Sequence, residues 1–195
     1  MVSDFTGGTF DKPMMVTITP SGTAPITAAK ATGTVVVTAG GKELARSAVS
    51  SVTPVTFPVY MPALGSISYV ITYGGDANFL PQTVNGTIYI SGGRVTMTGG
   101  LVRTPGVEGT YTLTVYAAGS PVAAPTGMLS IVNGGSEIAK VSLVPSGAGT
   151  SAAHATLTNL SSSPTLTINY PGDALYQSGS QQVRVVETRK RSAGH

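Results

Sequence analysis

Cysteine and tryptophan are both absent from the 195-residue chain. Without cysteine the chain can form no disulfide bond and can offer no thiolate as a nucleophile or metal ligand. Charged residues make up only 10% of the chain, far below the roughly 25% of an average soluble domain. No apolar run approaches the ~18 residues that a transmembrane helix requires. We therefore predict neither a disulfide scaffold, nor thiol chemistry, nor insertion into a membrane.

The few charges are unevenly placed. The formal net charge is +3, and three of the eleven basic residues are Arg189, Lys190 and Arg191. The rest of the chain therefore carries eight basic and eight acidic residues. Nucleic-acid binding requires a clustered basic face, so we predict no nucleic-acid partner. We treat residues 189–195 as a basic tail, and its ending, residues 192–195, resembles the remainder of a purification tag.

Hydrophobic residues make up 41% of the chain, which also contains 25 glycines and 13 prolines. Three segments of the first half recur in the second half. The pairs are residues 32–33 with 126–127 and 40–45 with 134–139, both 94 apart, and residues 71–77 with 168–174, 97 apart. A repeat of this length is too long for a solenoid unit and matches a whole small domain. We predict two copies of one domain, at residues 1–91 and 92–188.

Each copy is divided by glycine, proline, asparagine and serine into short segments that are typical of strands. In the first copy we predict strands at 14–19, 33–39, 44–49, 55–61, 66–73 and 83–91, with a further one at 5–10. In the second copy we predict strands at 93–98, 110–116, 127–133, 138–144, 152–157, 165–170 and 182–187. The Gly-Gly pairs at 40–41 and 134–135 suit hairpin turns, which need positive φ. No helical periodicity of comparable length is present.

Side-chain alternation supports the alignment of the copies. Residues two apart in a strand lie on the same face of the sheet. Tyr69, Ile71 and Tyr73 therefore share one face, and so do their counterparts, residues 166, 168 and 170. We predict that both sets point into the core.

The repeated motifs resemble the bacterial immunoglobulin-like domains of the group 3 type. They read ATGTVVVTAGG with YVITYGGDANF in the first copy and PTGMLSIVNGG with LTINYPGDALY in the second. Pro171 replaces Gly74 at the second corner. The resemblance implies two tandem β-sandwich domains of about seven strands each. It further implies a monomeric spacer, stalk or adhesion module of a larger secreted or cell-surface bacterial protein, with the neighbouring domains as partners.

Asp76, Asn78 and Asp173 are the best candidates for a metal site, because calcium prefers oxygen ligands. They follow the Tyr-x-Gly corner in each copy, but Leu175 replaces Asn78 in the second. The alternative is an Asx-type turn, in which the aspartate accepts hydrogen bonds from backbone amides two residues on. We favour the turn, and we predict no cofactor.

His154 is the only histidine outside the terminus. Alternation with Ala153 and Ala155 places it on the solvent face, without the partners that acid–base catalysis or zinc binding would require. For a serine nucleophile, His154 is the one credible base, and the chain contains no Gly-x-Ser-x-Gly elbow. We predict that the chain is not an enzyme.

A ligand-binding role is the alternative function. Tyr60 and Tyr89 are the tyrosines that alternation turns outward, and aromatic faces of this kind suit a glycan. Such a module, binding a glycan or a host surface, would be appended to an adhesin, a secreted hydrolase or a phage virion protein. Residues 1–12 contain no signal peptide, so we expect a signal for export to lie elsewhere in a longer protein.

Overall fold

The computed structural model describes residues 2–4, 8–19, 31–49 and 55–186. All regular secondary structure in these residues is β-strand, and no helix that could cross a membrane occurs among them. The chain divides into two compact units, Met1–Gly93 and Arg94–His195. Each unit is described by itself below.

The described part of unit 1 has eight strands. They are β1 (Val2–Asp4), β2 (Gly8–Thr9), β3 (Met14–Thr19), β4 (Thr34–Ala39), β5 (Lys42–Ala48), β6 (Val55–Val59), β7 (Gly65–Tyr73) and β8 (Gln82–Ser91). One sheet has the order β1-β3-β6, and the other has the order β2-β8-β7-β4-β5.

The described part of unit 2 also has eight strands. They are β9 (Thr96–Arg103), β10 (Tyr111–Ala118), β11 (Met128–Asn133), β12 (Ser136–Ser142), β13 (Val144–Gly147), β14 (Thr150–Leu157), β15 (Thr165–Tyr170) and β16 (Gly179–Arg184). The two sheets have the orders β13-β14-β10-β9 and β12-β11-β15-β16.

The strand orders identify the fold. An immunoglobulin-like sandwich pairs its first, second, fifth and fourth strands in one sheet and its third, sixth and seventh in the other. Unit 2 has this arrangement, with β12 as an additional strand beside β11. In the described part of unit 1, β1-β3-β6 corresponds to the first, second and fifth strands. The third, sixth and seventh correspond to β4, β7 and β8, with β5 added beside β4 and β2 beside β8. The predicted all-β fold of tandem immunoglobulin-like sandwiches is therefore confirmed.

The first strand region of each unit lies beside the last strand and runs parallel to it. In unit 1, β2 pairs with β8, and the Phe10 amide donates to the Ser91 carbonyl at 3.0 Å. In unit 2, Leu101 pairs with Val185, and the Val186 amide donates to the Leu101 carbonyl at 2.8 Å. All other strand pairs are antiparallel.

The cores form where the alternation predicts them. Tyr69, Ile71 and Tyr73 are buried, with exposed fractions of 9%, 0% and 6%. Their counterparts in β15 are buried to the same degree or more; they are Leu166, Ile168 and Tyr170. Because directly aligned residues of the two copies occupy the same inward positions, the same sequence pattern specifies both cores.

Both copies also share their central hairpin. Gly40 and Gly41 have φ values of 56° and 76°, and Gly134 and Gly135 have values of 57° and 89°. Two successive positive φ angles match the type I′ turn, whose twist agrees with that of the flanking strands. A register shift lies beside each turn, at Val37/Thr38 in one unit and at Ile131/Val132 in the other. The predicted Gly-Gly turns are confirmed.

The strand count differs from the predicted seven per domain, since eight are present in the described part of each unit. In unit 1 the leading strand is divided between two sheets as β1 and β2, and residues 5–7 of the predicted strand 5–10 lie outside the described residues. In unit 2 the predicted strand 138–144 is two strands. The chain leaves β12 at Ser142 and joins the opposite sheet as β13.

The terminal strands of unit 2 are also displaced from their predicted positions. The leading strand was predicted at 93–98 and is found at Thr96–Arg103. The final strand was predicted at 182–187 and is found at Gly179–Arg184. The first four residues, Gly-Ser-Gln-Gln, are exposed on an edge strand. Because they are polar and do not alternate with apolar residues, the sequence did not predict them as part of a strand. Residue 187 and the tail 189–195 lie outside the described residues.

Candidate functional site

Asp76 joins two parts of unit 1 that are far apart in sequence. One carboxylate oxygen accepts hydrogen bonds from the Thr32 amide at 2.5 Å and the Thr32 hydroxyl at 2.9 Å. The other accepts from the amides of Asn78 at 2.7 Å and Phe79 at 2.8 Å. The Tyr73 hydroxyl donates to the Thr32 carbonyl at 2.6 Å. We call the four bonds to the Asp76 carboxylate the Thr–Asp bridge of unit 1.

Asp173 makes the same bridge in unit 2. One oxygen accepts from the amide and the hydroxyl of Thr126, both at 2.8 Å. The other accepts from the amides of Leu175 at 2.8 Å and Tyr176 at 2.9 Å. The bridge fastens the residue pair that precedes β11 to the loop that follows β15. Since both units build it from aligned residues, it belongs to the repeat itself.

The bridge favours the ionised carboxylates. The Thr32 amide holds the pKa of Asp76 well below its ordinary value, with help from the Asn78 amide, the Thr32 hydroxyl and the Phe79 amide. For Asp173, burial acts against ionisation, but the amides of Leu175 and Thr126 and the Thr126 hydroxyl outweigh it and lower the pKa. Burial, and then the neighbouring Asp173 carboxylate, raise the pKa of the Tyr170 hydroxyl.

In the structure, the predicted metal candidates Asp76, Asn78 and Asp173 take part in hydrogen bonds within their own units. Each carboxylate oxygen faces two hydrogen-bond donors, whereas calcium would need those lone pairs directed at the ion. Asn78 contributes its backbone amide to Asp76, two residues before it, which is the Asx-type turn. Among the described residues no three His, Asp or Glu side chains are grouped so as to hold a metal.

His154 lies on the solvent face of β14, where alternation placed it. Its Nδ1 atom is 3.2 Å from the hydroxyl of Thr114, the residue directly opposite on β10. A hydroxyl neighbour on a sheet surface neither orients the imidazole as a carboxylate would nor completes a nucleophile–base–acid set. The arrangement is a cross-strand polar pair.

The outward tyrosines of unit 1 do not form one platform. Tyr60 follows β6 and is half-buried, whereas Tyr89 in β8 is 69% exposed. The strands belong to different sheets. Tyr116 in β10, a third outward tyrosine that was not predicted, is 51% exposed. Its neighbours Val115 and Ala117 are buried, so alternation along β10 contained the signal for it.

Tyr176 is a further residue that sequence reasoning missed. Its hydroxyl accepts from the buried Ser120 amide at 2.7 Å and donates to the Ala123 carbonyl at 2.5 Å. Beside it, the Ser151 hydroxyl donates to the Pro125 carbonyl at 2.6 Å. These bonds fix the loop between β10 and β11. The aligned residue of unit 1 is Phe79, which has no hydroxyl.

No protein-family model matches the chain, and no curated protein matches it in sequence. Among solved structures, it is similar to the fibronectin(III)-like modules of Clostridium thermocellum CbhA, with 10% identity over 100% of this chain and 98% of that chain and a TM-score of 0.35. It is also similar to a chimeric titin Z1Z2-Z1Z2 tandem functionalised with a GRGDS peptide from fibronectin. That match has 14% identity over 95% of this chain and 98% of that chain, with a TM-score of 0.32. The fold assignment rests on the strand order.

Proposed function

We propose that this chain is a non-catalytic spacer or adhesion module of a larger secreted or cell-surface protein. Its two sandwiches transmit force and hold neighbouring domains of the same protein apart or present them. The role needs no cofactor. The likeness of the repeat motifs to bacterial immunoglobulin-like domains of the group 3 type supports this setting, and the fold itself suits it.

The observation that carries the proposal is the parallel pairing of the terminal strands. When two adjacent parallel strands are pulled by their outer ends, the hydrogen bonds between them are loaded together. In an antiparallel hairpin pulled at its open end, by contrast, the bonds break one after another. In each unit, a backbone hydrogen bond of this parallel pair would carry such a load. These bonds are Phe10 to Ser91 in unit 1 and Val186 to Leu101 in unit 2. Each unit is therefore suited to bear tension along the chain.

The Thr–Asp bridges support the same role. They place four hydrogen bonds on a carboxylate at the loop end of each sandwich. A carboxylate that accepts four hydrogen bonds from its own domain serves the internal structure of that domain. The repeat therefore uses its most strongly bonded charged residue to fasten its own loops.

Single-molecule force spectroscopy of the full chain tests the proposal. We expect two separate unfolding events, each releasing about 300 Å, because each unit has roughly 90 residues and an extended chain spans about 3.3–3.6 Å per residue. Val186→Pro removes the amide that donates to Leu101, whereas Val186→Ala keeps it. We expect the proline variant alone to lower the unfolding force of unit 2.

The two Val186 variants form a matched pair, because the side chain is 54% exposed and contributes little to the core. Val185, the residue before the substituted position, forms a β-bridge with Leu101, and the residue before a proline prefers such an extended conformation. If both variants unfold at the wild-type force, the parallel pair does not bear the load and the spacer role loses its support.

A further inference from the structure

A groove opens on unit 2 where the edges of its two sheets meet. It has a volume of about 690 Å³, within the range of small-ligand sites. Arg103 at the end of β9 and Arg184 at the end of β16 both line it. Ser162 in the loop before β15 and Thr165 at the start of that strand also line it. We call it the arginine groove.

Arg103 is held in place by the fold. Its guanidinium donates to the Ser162 carbonyl at 2.8 Å and to the Tyr111 hydroxyl at 3.2 Å. It also lies 5.7 Å from the centre of the Tyr111 ring. The ring is fully buried, and its hydroxyl donates to the carbonyls of Ser161 and Ser162, at 2.9 Å each. The guanidinium is therefore preorganised at the groove wall.

The positive charge of the groove is not balanced within the described structure. Arg184 is exposed and forms no ion pair or hydrogen bond there through its side chain. None of the described residues that line the groove is acidic. The described ion pairs are formed by other residues, in β5 and β12. Two guanidinium groups without a carboxylate partner favour an anionic ligand.

The second arginine is a feature of unit 2 alone. Arg184 lies opposite Thr165 in the ladder of β15 and β16. The aligned pair of unit 1 is Ser68 opposite Thr87. The Thr–Asp bridge and the Gly-Gly hairpin recur in both copies, so an arginine in one copy only is not required by the repeat.

We propose that the arginine groove binds an acidic carbohydrate, with the two arginines contacting the carboxylate of a uronic acid. Arginine binds carboxylates with paired hydrogen bonds. The hydroxyls of Ser162 and Thr165 suit sugar hydroxyl groups, and the exposed side chains of Val102 and Val186, 48% and 54% exposed, suit the C–H faces of the rings. A protein partner would instead call for an aromatic anchor pocket, and the lining residues that the structure describes include no aromatic one.

This proposal rests on the adhesion role proposed above and gives it a ligand class. The spacer role does not depend on it, because the force measurement reads a different property. Failure of the binding experiment with intact unfolding forces would remove the ligand and leave the spacer.

Isothermal titration calorimetry of the full chain with oligogalacturonate tests the proposal. We expect saturable binding that Arg184→Ala weakens by about 10- to 100-fold, which corresponds to the loss of one charge-assisted contact. Arg184→Glu is a second variant, and we expect it to abolish binding. Thermal unfolding checks that both variants remain folded, as expected for an exposed position.

Three controls separate this site from general attraction of anions. Arg94→Ala removes another exposed arginine of unit 2 and leaves binding unchanged. Substitution of Arg189, Lys190 and Arg191 by alanine removes the basic tail and also leaves binding unchanged. Methyl-esterified oligogalacturonate, which has no carboxylate, and an oligothymidylate of equal charge both bind at least tenfold more weakly.

The proposal is overturned by any of four results: no binding by the wild type, equal binding by Arg184→Ala, loss of binding with the tail substitutions, or equal affinity for the esterified sugar or the oligothymidylate. Loss of binding with the tail substitutions would assign the binding to the tail, and equal affinity for the oligothymidylate would assign it to unspecific attraction of polyanions. Equal affinity for the esterified sugar would show that the carboxylate is not recognised.

Discussion

Thr126 donates both its amide and its hydroxyl to a single carboxylate oxygen of Asp173, 47 positions later, at 2.8 Å each. Thr32 and Asp76 repeat this relationship in unit 1. A bridge between segments so far apart in sequence closes one end of the sandwich, and it recurs because each copy must close the same end. Stability of that end should therefore depend on the aspartate.

Asp173→Asn should destabilise unit 2, because an amide group then faces donors that need an acceptor. We expect Tm to fall by about 2–12 °C, since a net hydrogen bond contributes about 0.5–1.5 kcal/mol and 1 kcal/mol shifts the Tm of a domain this size by about 4–8 °C. Hydrogen exchange should be faster in β11 and β15 and unchanged in β4 and β7. Glu108→Gln, at an exposed carboxylate without a hydrogen bond in the described chain, is the control. Equal effects of the two variants would contradict a bridging role.

The same carboxylates should make the fold sensitive to acid. The pKa values of Asp76 and Asp173 are lowered in the folded protein, so folding favours their ionised forms. Their contribution is present above the unfolded pKa of about 3.9 and is lost as pH falls through the lower folded values. Urea unfolding between pH 7 and pH 2 should show stability decreasing below about pH 4. The double variant Asp76→Asn, Asp173→Asn should show a flatter profile, and an unaltered profile would be inconsistent with the bridges.

Much of the fold follows from local sequence. The strands Met14–Thr19 and Thr165–Tyr170 agree with prediction at both ends, because β-branched and other apolar residues alternate between inward and outward positions between clear breaks. The Gly-Gly turns were also predictable, since two successive positive φ angles are open to few other residues. Repetition strengthened both predictions by supplying each pattern twice.

The rest depends on contacts between distant residues. Strand β13 contains Pro145 and is wholly exposed, so neither hydropathy nor propensity marks it as a strand. The arginine groove joins residues 81 positions apart in sequence, Arg103 and Arg184, and nothing in either local sequence indicates the other. Tyr176 falls in a turn-like segment, and its buried hydroxyl contacts became visible only in the structure.

Gly33 and Gly127 should differ in their response to alanine although both have positive φ, at 96° and 99°. A Cβ atom on Gly33 would lie 2.7 Å from the Gly75 carbonyl, whereas one on Gly127 would meet nothing within 4 Å. Both variants incur the backbone cost, about 1–2 kcal/mol for an L-residue in this region, and only Gly33→Ala adds a steric clash. Chemical unfolding should therefore show a larger loss of stability for Gly33→Ala. A similar loss for the two variants would mean that the backbone conformation alone decides the effect.

Tyr176→Phe should loosen the loop between β10 and β11 without disturbing the sheets. The change removes one oxygen that both accepts from the Ser120 amide and donates to the Ala123 carbonyl. Ser120 is fully buried, so its amide would lose its partner away from water, at a cost of about 1–3 kcal/mol. We expect faster hydrogen exchange at the Ser120 amide and a lower Tm. The ring at position 176 should keep its packing, because phenylalanine retains the ring and lacks only the hydroxyl. The reverse substitution, Phe79→Tyr in unit 1, introduces a hydroxyl at the aligned position and serves as the comparison. If Tyr176→Phe leaves exchange at Ser120 unchanged, the loop is fixed by the bond from Ser151 to Pro125 and by packing, and the hydroxyl of Tyr176 contributes little to it.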